Sequence, residues 1–193
     1  MSEGFAIASG VIVLIGAPFY LYDILKGTTK PERTTWFIWS ILGIVAFISQ
    51  FKLGAHWSLV YVGLEAVGNL VVYGLSLKYG VGGWTLKDKL ALGLALIGII
   101  ISLIMQSPIF ALWGVILADF AGAALTIEKA FKEPKSETAI TWIFLSLSAT
   151  FASFAVGKLS FALLLYPVYL AIITIAVPIA QLSGLLRLRL FTK

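Results

Sequence analysis

Two acidic residues, Glu65 and Asp119, stand inside long apolar stretches of the sequence. A charge at the centre of a lipid bilayer costs roughly 2.5 to 3.5 kcal/mol on insertion scales, so each such residue needs a physical reason. A buried carboxylate can take up a proton, and we predict proton coupling through Asp119 and Glu65. The alternative is a purely structural carboxylate that hydrogen-bonds between helices.

Polar and aromatic side chains recur around Glu65 at steps of four residues, which places them on one face of a helix. This stripe consists of Trp57, Tyr61, Glu65, Asn69 and Tyr73. Aromatic rings beside a carboxylate and an amide suit a hydroxylated or cationic solute, and we predict that the stripe binds substrate. In the alternative reading, Trp57 and Tyr61 belong to an interfacial aromatic belt, while Glu65 and Asn69 hold helices together.

The sequence gives little support for metal binding, thiol catalysis, phosphate binding or hydrolysis. One histidine, His56, and no cysteine leave no ligand set for a transition metal and no thiol nucleophile. The glycines at 80–83 lack the following Lys-Ser or Lys-Thr of a phosphate-binding loop. A hydrolytic triad would have to use His56, which has no acid close in sequence. We therefore predict no enzyme activity, no metal and no cofactor.

The composition predicts an all-α membrane protein. Hydrophobic residues make up 60% of the 193 residues and charged residues 12%, against roughly 25% charged in ordinary soluble domains. The surplus of apolar surface must face lipid, so the expected partner is the bilayer and the expected location the plasma membrane. The net charge of +5 is scattered over short loops, which indicates membrane orientation rather than nucleic-acid binding. The sequence leaves open whether the protein forms a homo-oligomer.

Apolar runs of about 20 residues predict seven transmembrane helices. Their approximate bounds are residues 5–25, 35–52, 57–79, 87–105, 108–127, 139–157 and 160–185. Of the 14 basic residues, all but Lys52 and Lys158 fall in the odd-numbered loops and the C-terminal segment. The positive-inside rule then predicts an outer N-terminus and a cytoplasmic C-terminus. The acidic residues of that cytoplasmic side are expected to be solvated loop charges: Asp23, Glu32, Glu128, Glu133 and Glu137.

An internal repeat relates the two halves of the chain. Four residues recur at an offset of 103, namely Lys26, Pro31, Thr35 and Trp39 as Lys129, Pro134, Thr138 and Trp142. The pair Lys52-Leu53 recurs later at an offset of 106. Chance similarity between apolar segments is the alternative. The repeat predicts triple-helix units at 1–80 and 107–193, joined by a linker helix at 81–106, with a site between them near the midplane.

The chain resembles the SWEET and PQ-loop superfamily, whose members share a three-plus-one-plus-three helix plan. The first repeat reads APFYLYDILKGTTKPERTTW, with Pro18 eight residues before a basic loop and Phe19 in place of the family glutamine. The second reads AGAALTIEKAFKEPKSETAITW, with Ala121 at the proline position. The resemblance implies transport, and Asn69 looks like the family's sugar-pocket asparagine. Thr174 is the nearest polar residue to its counterpart position.

These observations predict a carrier that moves a small polar solute, sugar-like or amino-acid-like, by alternating access. Trp39 and Trp142, equivalent under the repeat, are expected to face the central cavity, with belt positions as the alternative. Pro18, Pro167 and Pro178 interrupt the backbone hydrogen bonds of the first and last helices and are the candidate hinges. The alternative function is a non-transporting membrane receptor or assembly protein on the same scaffold.

Overall fold

The computed structural model describes residues 2–83, 85–104, 107–157 and 159–191. Within these ranges the chain forms seven α-helices, a 3-10 turn at Pro134–Ser136 and no β-strand, which confirms the predicted all-α class. The helices are α1 (Ser2–Lys26), α2 (Arg33–Lys52), α3 (Leu59–Tyr79), α4 (Leu86–Ile104), α5 (Pro108–Lys132), α6 (Ala139–Ala155) and α7 (Phe161–Phe191). Lys158 and Lys193, which entered the count of basic residues, lie outside the described residues.

Several helices continue beyond the apolar spans that the sequence predicted. The last turn of α5 reaches Lys132 and α7 reaches Phe191, whereas the predicted spans end near 127 and 185. Apolar length marks the part of a helix that fits in hydrocarbon, but backbone hydrogen bonding does not stop there. Lys129 and Lys132 in the last turn of α5 also stabilise the negative end of its helix dipole.

Five of the described helices, α1, α2, α3, α5 and α7, are long and apolar enough to cross a membrane. The apolar helix α6 has only 17 residues. The first turn of α4 carries three charged residues, Lys87, Asp88 and Lys89. All seven helices expose large apolar side chains such as Phe19 and Ile172. An apolar surface of this extent has to be covered by lipid, so the chain is a membrane-embedded helical protein.

Helix contacts define how the bundle is built. α3 packs against both α1 and α2, and α7 packs against both α5 and α6. Between these groups α1 packs on α6 and α2 packs on α5. α4 lies mainly along α5, where the backbones come so close that a Cβ atom on Gly98 would lie 2.3 Å from the Gly114 carbonyl oxygen. Glycine is therefore required at this crossing.

One end of the bundle collects the basic residues of three loops, and we call it the basic end. Arg33, in the first turn of α2, donates to three carbonyl groups around the end of α3, those of Ser76, Gly80 and Gly82, at 3.1 to 3.2 Å. Lys129 of α5 donates to the carbonyl group of Lys30, and Lys87 of α4 pairs with Glu128 of α5. The first, third and fifth loops, which the charge count assigned to one side of the membrane, therefore do meet.

Glu32 is part of the fold at this end rather than a solvated charge, which corrects the sequence interpretation. Its Oε2 atom accepts hydrogen bonds from the Thr35 backbone N–H at 2.6 Å and from the Thr35 hydroxyl at 2.8 Å, which caps α2. The carboxyl group is 6% exposed, and Oε1 is buried without a hydrogen-bond partner. Burial raises the pKa of Glu32, although the bonds from Thr35 act in the opposite direction.

The crossing of α4 and α5 gives the first prediction. We expect Gly98→Ala to lower the free energy of unfolding by about 1 to 3 kcal/mol, because the new methyl group overlaps the Gly114 carbonyl oxygen. The matched control is Gly93→Ala on the same helix, where an added Cβ meets no atom within 4 Å. Thermal unfolding in detergent measures both variants. Equal stability of the two would contradict the close crossing.

Candidate functional site

A cavity of about 200 Å³ lies between the two groups of helices. Side chains from α1, α2, α3, α5, α6 and α7 line it, so it is formed by both halves of the chain. Six of the residues predicted from the sequence reach it: Trp39, Glu65, Asn69, Asp119, Trp142 and Thr174. Most of the remaining lining is aliphatic. An apolar cavity with a few converging polar groups is the usual form of a small-molecule site.

The two carboxyl groups in the cavity have different surroundings. Asp119 is 4% exposed, and its Oδ2 atom accepts a hydrogen bond from the Tyr169 hydroxyl of α7 at 2.6 Å. The Oε2 atom of Glu65 is buried and has no hydrogen-bond partner. Both groups line the same cavity. Asp119 therefore has a donor on one of its two oxygens, whereas the buried oxygen of Glu65 has none among the described residues.

Asn69 and Thr174 are held by backbone carbonyl groups. The Asn69 side-chain amide donates to the Trp39 carbonyl at 3.3 Å, which joins α3 to α2 beside the cavity. The Thr174 hydroxyl donates to the Leu170 carbonyl of its own helix at 2.6 Å. Asn69 therefore links two helices, as the structural alternative predicted. The same side chain also lines the cavity.

Four aromatic rings close the cavity toward the basic end; we call Tyr20, Trp36, Trp39 and Trp142 the aromatic cluster. Ring centroids lie 5.1 Å apart for Trp36 and Trp39, and 5.8 Å apart for Trp39 and Trp142. Tyr20 packs on both Trp36 and Trp142, at 5.4 and 6.0 Å. All four side chains are at most 8% exposed. The cluster includes residues of both halves, and its rings pack together between the cavity and the basic end.

A buried ion pair holds the aromatic cluster at the basic end. The Trp142 indole N–H donates to Glu137 Oε2 at 2.9 Å, and Glu137 Oε1 lies 2.5 Å from the Lys129 ammonium group. The Gln181 side chain of α7 donates to the Glu137 carbonyl at 2.9 Å. Glu137 is thus an anchor of the cluster, which corrects its interpretation as a solvated loop charge.

Two reciprocal hydrogen bonds relate the two halves at an offset that differs from the 103 of the predicted repeat. The Thr35 hydroxyl of α2 donates to the Gly122 carbonyl of α5 at 2.9 Å, and the Thr141 hydroxyl of α6 donates to the Gly16 carbonyl of α1 at 3.0 Å. Thr141 and Gly122 each follow their counterparts by 106 residues. This offset pairs Trp36 with Trp142, whereas the sequence comparison at 103 paired Trp39 with Trp142. The loops before α2 and α6 are both six residues long, 27–32 and 133–138, so the offset of 106 continues through them, and the similar residues matched at 103 do not follow it.

Several predicted residues lie away from the cavity. Tyr61 is completely buried, but it is not a lining residue, and its hydroxyl group has no hydrogen-bond partner. Trp57 precedes α3 and is 44% exposed, as in the belt alternative. The three prolines, Pro18, Pro167 and Pro178, lie inside α1 and α7 and do not line the cavity.

Three residues of the site were not singled out from the sequence: Tyr20, Trp36 and Tyr169. Tyr20 and Trp36 complete the aromatic cluster, and Tyr169 binds Asp119. The 106-residue offset was visible in the Lys-Leu pairs, and applied to α2 and α6 it would have identified Trp36. Tyr169 gives no comparable signal, because the residue 106 positions earlier is Gly63, which has no side chain.

The described residues contain no group of three or more histidine, cysteine, aspartate or glutamate side chains that could hold a metal ion. Comparison with known proteins gives no significant match to a protein-family model, to a curated protein or to a solved structure.

The buried pair at the basic end gives the second prediction. We expect Lys129→Met or Glu137→Gln alone to cost about 3 to 5 kcal/mol of stability, because each leaves a buried group without its partner. The double variant should lose less than the sum of the two. The control is the pair Lys87 and Glu128, whose side chains are 60% and 34% exposed, and there we expect a coupling of about 0.2 to 1 kcal/mol. Equal coupling in the two double-mutant cycles would contradict the role of Glu137 as an anchor.

Proposed function

We propose that the chain is a membrane carrier that moves a small polar solute, sugar-like or amino-acid-like, by alternating access. The cavity between the two halves carries this proposal, because it brings Glu65, Asn69 and Asp119 to one place inside an apolar bundle. A receptor or assembly protein on the same scaffold would not need carboxyl groups around an internal cavity. Two such groups, one of them without a partner, favour solute binding.

The proposed architecture is seven spans in a three-plus-one-plus-three plan. The helix contacts support it, since exchanging α1 with α5, α2 with α6 and α3 with α7 returns the same main contacts within and between the two groups. The remaining helix, α4, packs beside α5 and serves as the linker. Parallel repeats with a site between them are a known transporter plan. The resemblance to the SWEET and PQ-loop superfamily belongs to the same proposal.

In the proposed orientation the protein lies in the plasma membrane, and its basic end faces the cytoplasm. The lysines and arginines of the first, third and fifth loops meet at that end, and the positive-inside rule assigns such an end to the cytoplasm. The cavity is then closed on its cytoplasmic side by the aromatic cluster. Opening to the cytoplasm requires the two halves to separate there.

The contacts at the basic end define what must change during transport. Trp36 and Trp142 come from different halves and pack 6.1 Å apart, so they separate when the halves rock apart. Trp142 moves with Glu137, its hydrogen-bond partner. Pro18, Pro167 and Pro178 are the proposed hinges, because a proline removes one backbone hydrogen bond and lets the helix bend.

Proton coupling is proposed for Glu65 and Asp119. No lysine or arginine occurs among the described residues that line the cavity, so neither carboxylate has a cationic partner there. The hydroxyl group of Tyr169 on α7 donates a hydrogen bond to Asp119. Binding of a proton removes the repulsion between the two carboxylates. A proton and a solute can thus compete for, or share, the same site.

The function is tested by uptake into proteoliposomes. A thermal-shift screen of sugars, amino acids and vitamins on the purified protein first identifies solutes that raise its melting temperature. We expect uptake of a hit to be stimulated by a pH gradient, and Asp119→Asn to abolish that stimulation. Glu65→Gln and Asn69→Ala should reduce the thermal shift, because each removes a polar group from the cavity.

The control variant is Glu133→Gln, which changes an exposed carboxyl group and should behave like the wild type. A solute that stabilises the wild type and both cavity variants equally would contradict the assigned site. Uptake that is insensitive to the pH gradient would remove proton coupling. The absence of uptake for every solute that binds would favour the receptor alternative.

A further inference from the structure

Among the described residues, the clearly exposed part of the cavity lining lies on α1 and α3, which points to an opening between these helices. Most of its lining residues are buried, but Leu14 of α1 is 59% exposed, and Val67 and Val71 of α3 are 61% and 46% exposed. These three aliphatic side chains belong both to the cavity and to the outer surface. In a membrane-embedded bundle such an opening faces lipid.

Two of the corresponding positions on α7 are less exposed than those on α3. At the offset of 106, Gly68 and Val71 of α3 correspond to Thr174 and Val177 of α7. Thr174 and Val177 are only 6% and 1% exposed, whereas Val71 is exposed and Gly68 is half-buried. The exposed lining at Gly68 and Val71 therefore has no counterpart at these two positions of α7, although Phe120, which corresponds to Leu14, is 56% exposed.

Gly68 keeps this opening wide. It lines the cavity, and a Cβ atom built on it would meet no other atom within 4 Å. A larger side chain could therefore be placed there without displacing a neighbour. Because the rim is aliphatic and the surroundings are lipid, a ligand that uses this path needs an apolar body.

Whereas the rim favours an apolar body, the interior of the cavity favours a charged group on the ligand. The Glu65 Oε2 atom is buried without a donor, and the Trp39 indole N–H, on a side chain that is 8% exposed, has no acceptor. Unmet polar groups on the wall of a cavity indicate a ligand site rather than a finished core. With two carboxyl groups, three tryptophans and no basic residue among its described lining, the cavity favours a positive charge.

We propose that the cavity binds an amphiphilic organic ammonium ion, which enters from the lipid between α1 and α3. Its ammonium group pairs with Glu65, and its apolar body lies against the tryptophans. The inference rests on the proposed function in that it names the substrate class of the same site. Binding and uptake are separate measurements, so the two proposals can fail independently.

The test measures equilibrium binding of phenethylamine and of its neutral counterpart, 2-phenylethanol, to the full chain in lipid nanodiscs. We expect the amine to bind about tenfold or more tightly than the alcohol, and Glu65→Gln to remove that preference. Gly68→Leu should weaken or slow amine binding by about tenfold, because the new side chain fills the opening. Gly74→Leu is the matched control: it lies on the same helix with no atom within 4 Å of an added Cβ, and it is not a lining residue.

Equal binding of the amine and the alcohol by the wild type would overturn the assigned charge. Equal behaviour of Gly68→Leu and Gly74→Leu would overturn the lipid-facing path. If the protein takes up a neutral sugar but does not bind phenethylamine, this inference fails and the carrier function stands. Glu65-dependent binding of phenethylamine without uptake of any solute leaves this inference standing and removes the carrier function.

Discussion

The structure depends on the cost of placing a carboxylate in hydrocarbon. Glu65 and Asp119 occur in helices whose other faces expose large apolar side chains such as Val67 and Phe120, so the helices must turn both acids inward. Turned inward, the acids of α3 and α5 converge on one cavity between the two halves. Tyr169 satisfies one of them, and Glu65 remains open to a proton or a solute.

Closure of the cavity follows from a second set of polar contacts at the basic end. Lys129, Glu137 and Trp142 form a continuous chain from a buried ion pair to the wall of the cavity. The Trp142 ring packs against Trp36 of the other half, so the charge pair and the aromatic contact stabilise the same closed arrangement. A conformational change at the basic end must act on both. This link connects the buried ion pair to the wall of the cavity.

The sequence predicted the helices and much of the site, for identifiable physical reasons. Apolar length marks a membrane helix, and a lone acid in such a helix has to face a polar partner or a cavity, as Glu65 and Asp119 do. Tyr169 could not be predicted, because only the packing of the neighbouring helices decides which of the tyrosines on α7 meets an acid. Glu137 was misread for a related reason, since a loop charge looks solvated until its buried partner Lys129 is seen.

The central claim, that the cavity is exposed to the two sides of the membrane in turn, is tested by cysteine accessibility. The chain contains no cysteine, so Thr174→Cys introduces a single thiol into the wall of the cavity. Leu186→Cys, on an exposed position near the basic end, marks one side. A membrane-impermeant maleimide is added to one face of sealed vesicles at a time. We expect the thiol at position 174 to be labelled from both faces and the thiol at position 186 from one face only. Labelling at 174 from neither face, or from one face only, would contradict it.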